Sequence, residues 1–152
     1  MIVYRIANSL YRNDLSGSGS AKYGGRWNSK GHAMLYTSEH ISLAVLELVV
    51  NFNQADSPLR QHYHLIEIII PDTDYTELRL SELKKDWTKD MYYSQYIGDE
   101  FLASNANLIL KVPSAVVPEE QNILMNPSHQ DFKKIKIQQS KIYQFDGRLI
   151  RS

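Results

Sequence analysis

Apolar residues in this chain come in short runs separated by polar and glycine-rich stretches, and the length and spacing of each run predict its element. Ile2 to Ile6 reads as an opening strand. Leu65 to Ile70, rich in β-branched residues and stopped by Pro71 and Asp72, reads as a buried strand, and Leu108 to Val112, ended by Pro113, as another. Ala33 to Thr37 is a short apolar segment. Directly after it, ISLAVLELVVNF is apolar on nearly every side, which predicts a buried helix from near Ile41 to near Asn51, capped by Thr37 or Ser38. SELKKDW, from Ser81, and the following TKDMYYSQYIGDEFLAS predict helices with aromatic and aliphatic faces. Ile135 to Ile137 and Lys141 to Phe145 predict two strands paired around a polar turn. Residues 14–32 hold five of the seven glycines and predict a loop. Because strands and helices mix without regular alternation, the expected fold class is α+β rather than a doubly wound sheet.

Length and composition narrow this picture. A chain of 152 residues without repeat, low-complexity tract or linker fits one domain over 1–152, large enough to bury a core unaided. Seventeen basic residues balance seventeen acidic ones, so no summed field draws the protein onto nucleic acid or an anionic membrane. The lack of any cysteine excludes disulfides, thiolate zinc sites and cysteine nucleophiles, and fits a reducing compartment. Met1 to Arg5 do not resemble the start of a secretory signal, and no apolar run approaches a membrane span, so a soluble, cytoplasmic protein is expected.

The residue that fits its surroundings least is Glu47, a carboxylate in the most apolar helix of the chain. Burying such a charge costs several kcal/mol unless it is paired, hydrogen-bonded or facing a cleft. A site that stabilises a developing positive charge would explain it; so would a salt bridge to a core arginine. The glycine-rich stretch matches neither phosphate fingerprint: Lys22 stands where G-x-G-x-x-G needs its third glycine, and Gly25 and Arg26 stand where a P-loop needs Lys and Ser or Thr. What remains is Gly24, Gly25, Arg26, Trp27 and Asn28, a turn that sets a guanidinium able to clasp a diphosphate beside an indole able to stack on a base or shape a pocket. A turn with a packed tryptophan is the alternative. Tyr36 serves equally as a pocket wall or a core aromatic, and Ser38, near a helix start, as a ligand for phosphate or ribose or as a cap. His62 and His64 make too thin a case for metal, and no HExxH motif exists.

In order along the chain stand YRI at 4–6, GGRWNSKG at 24–31, LYTSEHISLAVLELVVN at 35–51, IGDEFL at 97–102, LKVPSAVVPEEQNILMNPSH at 110–129 and FDGRL at 145–149. This series resembles the RES domain family almost end to end. The family is named for an arginine, a glutamate and a serine, matched here by Arg26, Glu47 and Ser114. The resemblance implies a compact α+β domain related to ADP-ribosyltransferases, with NAD in a cleft as substrate. It implies the toxin of a type II toxin-antitoxin pair, held in check by an Xre-type helix-turn-helix antitoxin that does the DNA binding, and no metal. Family members hydrolyse or phosphorolyse NAD, and some transfer ADP-ribose to proteins. By position, Arg26 would bind the diphosphate or nicotinamide ribose, Tyr36 would line the nicotinamide pocket, Glu47 would stabilise the oxocarbenium-like charge, and Ser114 would touch the substrate at a strand end. Arg5 is a second candidate for phosphate, Trp27, Asn28 and Ser38 are further candidates for contact with NAD, and Asn122 and Asn126 read as turn and capping residues. Three functions follow as expectations: NAD degradation, ADP-ribosyl transfer to a protein, or non-catalytic binding with Arg26 and Glu47 as a structural ion pair.

Overall fold

The computed structural model describes residues 1–58 and 60–150; of the expected single domain over 1–152, positions 59, 151 and 152 lie outside the described residues. One seven-stranded sheet organises the chain, in the order β4-β5-β6-β2-β1-β3-β7. Its strands are β1 (Ile2–Asn8), β2 (Leu35–Ser38), β3 (Tyr63–Ile69), β4 (Tyr75–Glu77), β5 (Ile109–Pro113), β6 (Gln121–Met125) and β7 (Lys136–Tyr143). All neighbours are antiparallel except β4 and β5. Three α-helices accompany it: α1 (Ser18–Tyr23), α2 (Ile41–Val49) and α3 (Met91–Ser104). The expected α+β class is what the chain adopts.

Strand alternation sorts the core into faces. On one face, Val3, Leu35, Ile66, Ile68, Ile109, Ile123 and Met125 form a continuous cluster. On the other, two separate clusters share the sheet: Leu110, Val112 and Leu124 pack with Trp27, Trp87 and Phe101 beside α3, while Ile6, Tyr63 and Leu65 pack with Ala44 and Val45 of α2. Between these clusters runs the seam of β1 and β2, which pair only at Tyr4 opposite Ser38, whereas β1 and β3 pair at seven positions from Ile2–Ile69 to Asn8–Tyr63. A sheet paired so sparsely at its middle, with helices over both flanks, leaves a furrow on this face.

Several elements depart from expectation. The stretch over 14–32 is not all loop, since α1 forms between Gly17 and Gly24, both at positive φ, the conformation glycine adopts without strain. SELKKDW yields only 3-10 turns at Leu80–Glu82 and Trp87–Lys89, and the true helix begins at Met91, where the Asp90 side chain accepts from the Tyr93 amide. Neither Thr37 nor Ser38 caps α2: Thr37 donates to the Ile123 carbonyl, Ser38 to the Asn122 side chain, and His40 occupies the cap position without a side-chain bond. The two expected C-terminal strands are one, β7, running along β3 with a bulge between Glu67 and Ile68. Finally, α2 is not buried all round. Leu43, Ala44 and Val45 face the core, but Val50 at its end is 58% exposed and Leu46 36%.

Candidate active site

The furrow over the β1–β2 seam is a cleft of about 960 Å³, toward the upper end of small-molecule sites, which span about 300–1,000 Å³. β1 contributes Tyr4, Arg5 and Ile6; β2 contributes Tyr36, Thr37 and Ser38; α2 contributes Ala44, Glu47 and Leu48. The glycine turn adds Arg26 and Trp27, α3 adds Met91 and Gln95, and β6 adds Asn122. Residues that lie as far apart in sequence as Tyr4 and Asn122 are thus gathered by the fold into one place.

At the centre, α2 carries Glu47 on its partly exposed side, so the carboxylate is neither entombed nor free. Its Oε1 accepts from the Ser114 hydroxyl at 2.7 Å and from the Asn122 amide nitrogen at 2.7 Å. No lysine, arginine or histidine forms an ion pair with Glu47 among the described residues. The Arg26–Glu47 pair of the non-catalytic expectation is thus absent there. Two neutral donors orient the carboxylate without cancelling its charge, and both sit on one oxygen, Oε1.

Ser114 itself is fully buried. Besides donating to Glu47, its oxygen accepts from the amides of Val116 and Val117, and its backbone amide donates to the Glu120 carbonyl. It pins the turn between β5 and β6 and acts on the cleft through Glu47; the expectation of direct substrate contact does not match this position. Asn122, read as a turn residue, lies on β6 and links two cleft residues: it donates to Glu47 and accepts from Ser38 at 2.8 Å. Sequence reasoning missed it because β6 itself was missed. QNILM between Pro118 and Pro127 carries only three apolar residues, and no element is expected there from the sequence. Asn126 is a turn residue as expected, buried, donating to the Asn105 side chain and accepting from the Ser128 amide.

Arg26 borders the cleft with its guanidinium donating to the Thr88 carbonyl at 3.0 Å and lying 5.7 Å from the Trp87 ring centroid. Neither contact neutralises its charge. Trp27 borders the same cleft, yet it is only 2% exposed and its ring packs 5.6 Å from Trp87 in the core, so it forms the wall and offers no open face for stacking. Asn28 is a correction: it is fully buried, and its amide donates to the carbonyls of Ser20 and His32 while its oxygen accepts from Tyr36. With its hydrogen-bonding capacity spent inside the turn, it holds the loop instead of a ligand. The Tyr36 hydroxyl, in turn, donates to Asn28 at 2.5 Å and accepts from the Trp27 amide at 3.0 Å. Burial pushes that phenol well above its ordinary value; the Trp27 amide opposes, and the charge on Asp99 adds to the rise. Tyr36 stays protonated and presents its ring to the cleft.

Arg5 stands where the cleft meets a smaller recess of about 150 Å³ lined also by Asp14, Ser18 and Ser20. One guanidinium nitrogen donates to the Asp14 carbonyl at 2.8 Å. Burial lowers the guanidinium's pKa and the nearby Asp14 charge opposes it, but an arginine remains charged regardless. Arg5, Arg26, Tyr36, Ser38 and Glu47 thus all reach one cleft. Among the described residues no group of His, Asp or Glu side chains could hold a metal ion.

Fold and cleft define a class: a small α+β protein with an open site lined by two cationic side chains and by a carboxylate with no ion pair among the described residues. Comparison with known proteins gives the family. The RES domain matches over residues 2–146. Toxin Res of Yersinia enterocolitica is 37% identical over 98% of this chain and 99% of its own length. The Prs ADP-ribosylating toxin of a Sphingobium species is 36% identical over 95% of this chain and 92% of its own. Among solved structures, the crystal structure of the M. tuberculosis MbcT-MbcA toxin-antitoxin complex contains a chain of the same fold, with a TM-score of 0.79 at 20% identity, covering 93% of this chain and 83% of that one. This chain belongs to the RES domain family and is a RES-type toxin.

Proposed function

We propose that this toxin cleaves the bond between nicotinamide and ribose in NAD, with Glu47 as the catalytic carboxylate. The observation that carries the reading is the state of Glu47: held on one oxygen by Ser114 and Asn122, unpaired with any cation among the described residues, and open to the cleft. Such a group is preorganised to meet positive charge. When the C1′–N bond breaks, nicotinamide leaves as a neutral base with the bonding electron pair, and positive charge spreads over C1′ and the ring oxygen. Glu47 offsets that charge and accepts hydrogen bonds from ribose hydroxyls. Arg26 and Arg5, the two guanidinium groups lining the cleft, supply the countercharge a diphosphate needs. Water then adds at C1′ to give ADP-ribose and a proton, or inorganic phosphate adds to give the 1-phosphate ester.

The relative that is named an ADP-ribosylating toxin supports a second reading, in which a protein side chain takes the place of water. A cleft this open admits either acceptor. Incubating the purified toxin with NAD in buffer, with inorganic phosphate, and with cell lysate separates the outcomes: free ADP-ribose, its phosphate ester, or labelled protein. Unchanged NAD in all three rejects the proposal.

The partner we infer is an antitoxin protein of the Xre type that covers the cleft mouth. Tyr23, Met91 and Val50 line the cleft and are exposed, an apolar rim that a protein partner would bury. A neutral net charge, with no basic excess to hold a phosphate backbone, is in keeping with nucleic-acid binding by that partner.

A further inference from the structure

The segment IGDEFL at 97–102 takes no part in the cleft, yet four residues of α3 grip the arginine turn almost residue by residue. Gln95 donates to the Gly25 carbonyl at 2.8 Å, Ser94 donates to the Arg26 carbonyl at 2.6 Å, and Asp99 accepts from both the amide of Ser29 at 3.0 Å and its hydroxyl at 2.6 Å. Gly98 lets the helix come this close: a Cβ there would stand 1.6 Å from the Trp27 carbonyl oxygen. These positions fall on one helix face, since 94, 95, 98 and 99 follow the i, i+1, i+4, i+5 spacing. The turn's other hydrogen bonds run within itself, to Tyr36, to the carbonyls of Ser20 and His32, and from the Arg26 guanidinium to the Thr88 carbonyl.

From this we infer that Asp99, which does not line the cleft, is a positioning residue for Arg26: by holding Ser29 at both its amide and its hydroxyl against α3, it fixes the turn that aims the guanidinium at the substrate diphosphate. The inference rests on the proposed NAD reading for the identity of the ligand, and on the geometry alone for the clamp. A bidentate, charge-assisted anchor is the strongest of the contacts on this turn, and its loss frees the C-terminal half of a loop rich in glycine. A positioning error of about 1 Å remote from the chemistry can lower activity on the order of a hundredfold.

Two readouts test it on the full chain, with thermal melts as the check on folding. Hydrogen exchange of residues 24–29 is measured without NAD, and KM and kcat for NAD are measured separately, in wild type, Asp99→Ala, Asp99→Asn and Ser29→Ala. In Asp99→Ala the clamp predicts faster exchange in 24–29 alone, and a KM raised about tenfold or more with kcat less affected. Asp99→Asn, whose amide oxygen still accepts the Ser29 N–H, should recover most of the KM, and Ser29→Ala should fall between. Should Asp99→Ala not fold, the other two variants carry the same comparison. Unchanged exchange in 24–29, or changed exchange with KM and kcat both within twofold of wild type, overturns the proposal. A wild type that neither binds nor consumes NAD defeats the substrate reading instead, and the exchange result still decides whether the clamp exists.

Discussion

The hydroxyl of Ser114 serves three partners at once, giving its proton to Glu47 and accepting from the amides of Val116 and Val117. Substituting Ser114→Ala strips all three in a site with no exposed surface, so we expect a loss of roughly 1–3 kcal/mol in chemical denaturation, together with reduced activity because the Glu47 carboxylate loses one of its two anchors. At this scale the sequence was most informative where a residue contradicted its neighbours. Glu47 stood out for chemistry that its helix could not absorb, although the reason was half right: α2 leaves one side to the cleft, so the carboxylate never had to be buried. Arg26, Tyr36 and Ser38 line the cleft. Asn28 was misjudged because its amide could serve a ligand or the turn equally well, and only the positions of the Ser20 and His32 carbonyls decide between them.

Among the elements, α3 shows two opposing forces at one position. Alanine is favoured over glycine inside a helix by about 1 kcal/mol, yet at position 98 its Cβ would collide with the Trp27 backbone, and overpacking of that kind costs about 3 kcal/mol. Gly98→Ala should therefore lower the melting temperature, despite adding the better helix former. The start of the same helix sets a pH dependence. The Lys84 side chain and the Tyr93 amide hold the Asp90 carboxyl below the usual carboxylate range. Its folded pKa is lower than its unfolded one, so its contribution is fully present above the ordinary range and is lost as the pH falls through the folded value. Replacing Asp90→Asn should flatten the acid limb of a stability-versus-pH curve while leaving the neutral region less stable than wild type throughout. Such details follow from caps and close approaches, which a sequence signals weakly. β6 was illegible for a different reason: Pro118, Glu119 and Glu120 before it and Asn126 and Pro127 after it read as turn chemistry, and five apolar and amide residues between them are too few to outweigh those signals.

In the whole molecule, the cleft depends on a defect in the sheet. β1 and β2 meet at a single pair of residues, and the cleft occupies the seam they fail to close. Local periodicity finds strands but not how sparsely two of them pair, which is why the α+β class was readable and the furrow was not. Into that seam the fold brings Glu47 from a helix, Arg5, Tyr36 and Ser38 from strands and Arg26 from a clamped turn. The central claim is that the charge on Glu47 breaks the nicotinamide bond. The direct measurement compares nicotinamide release from NAD by wild type and by Glu47→Gln, the variant that keeps an oxygen able to accept from Ser114 and Asn122 but removes the charge. We predict a fall of about a hundredfold or more with an unchanged melting temperature; a folded Glu47→Gln protein releasing nicotinamide at the wild-type rate would contradict it.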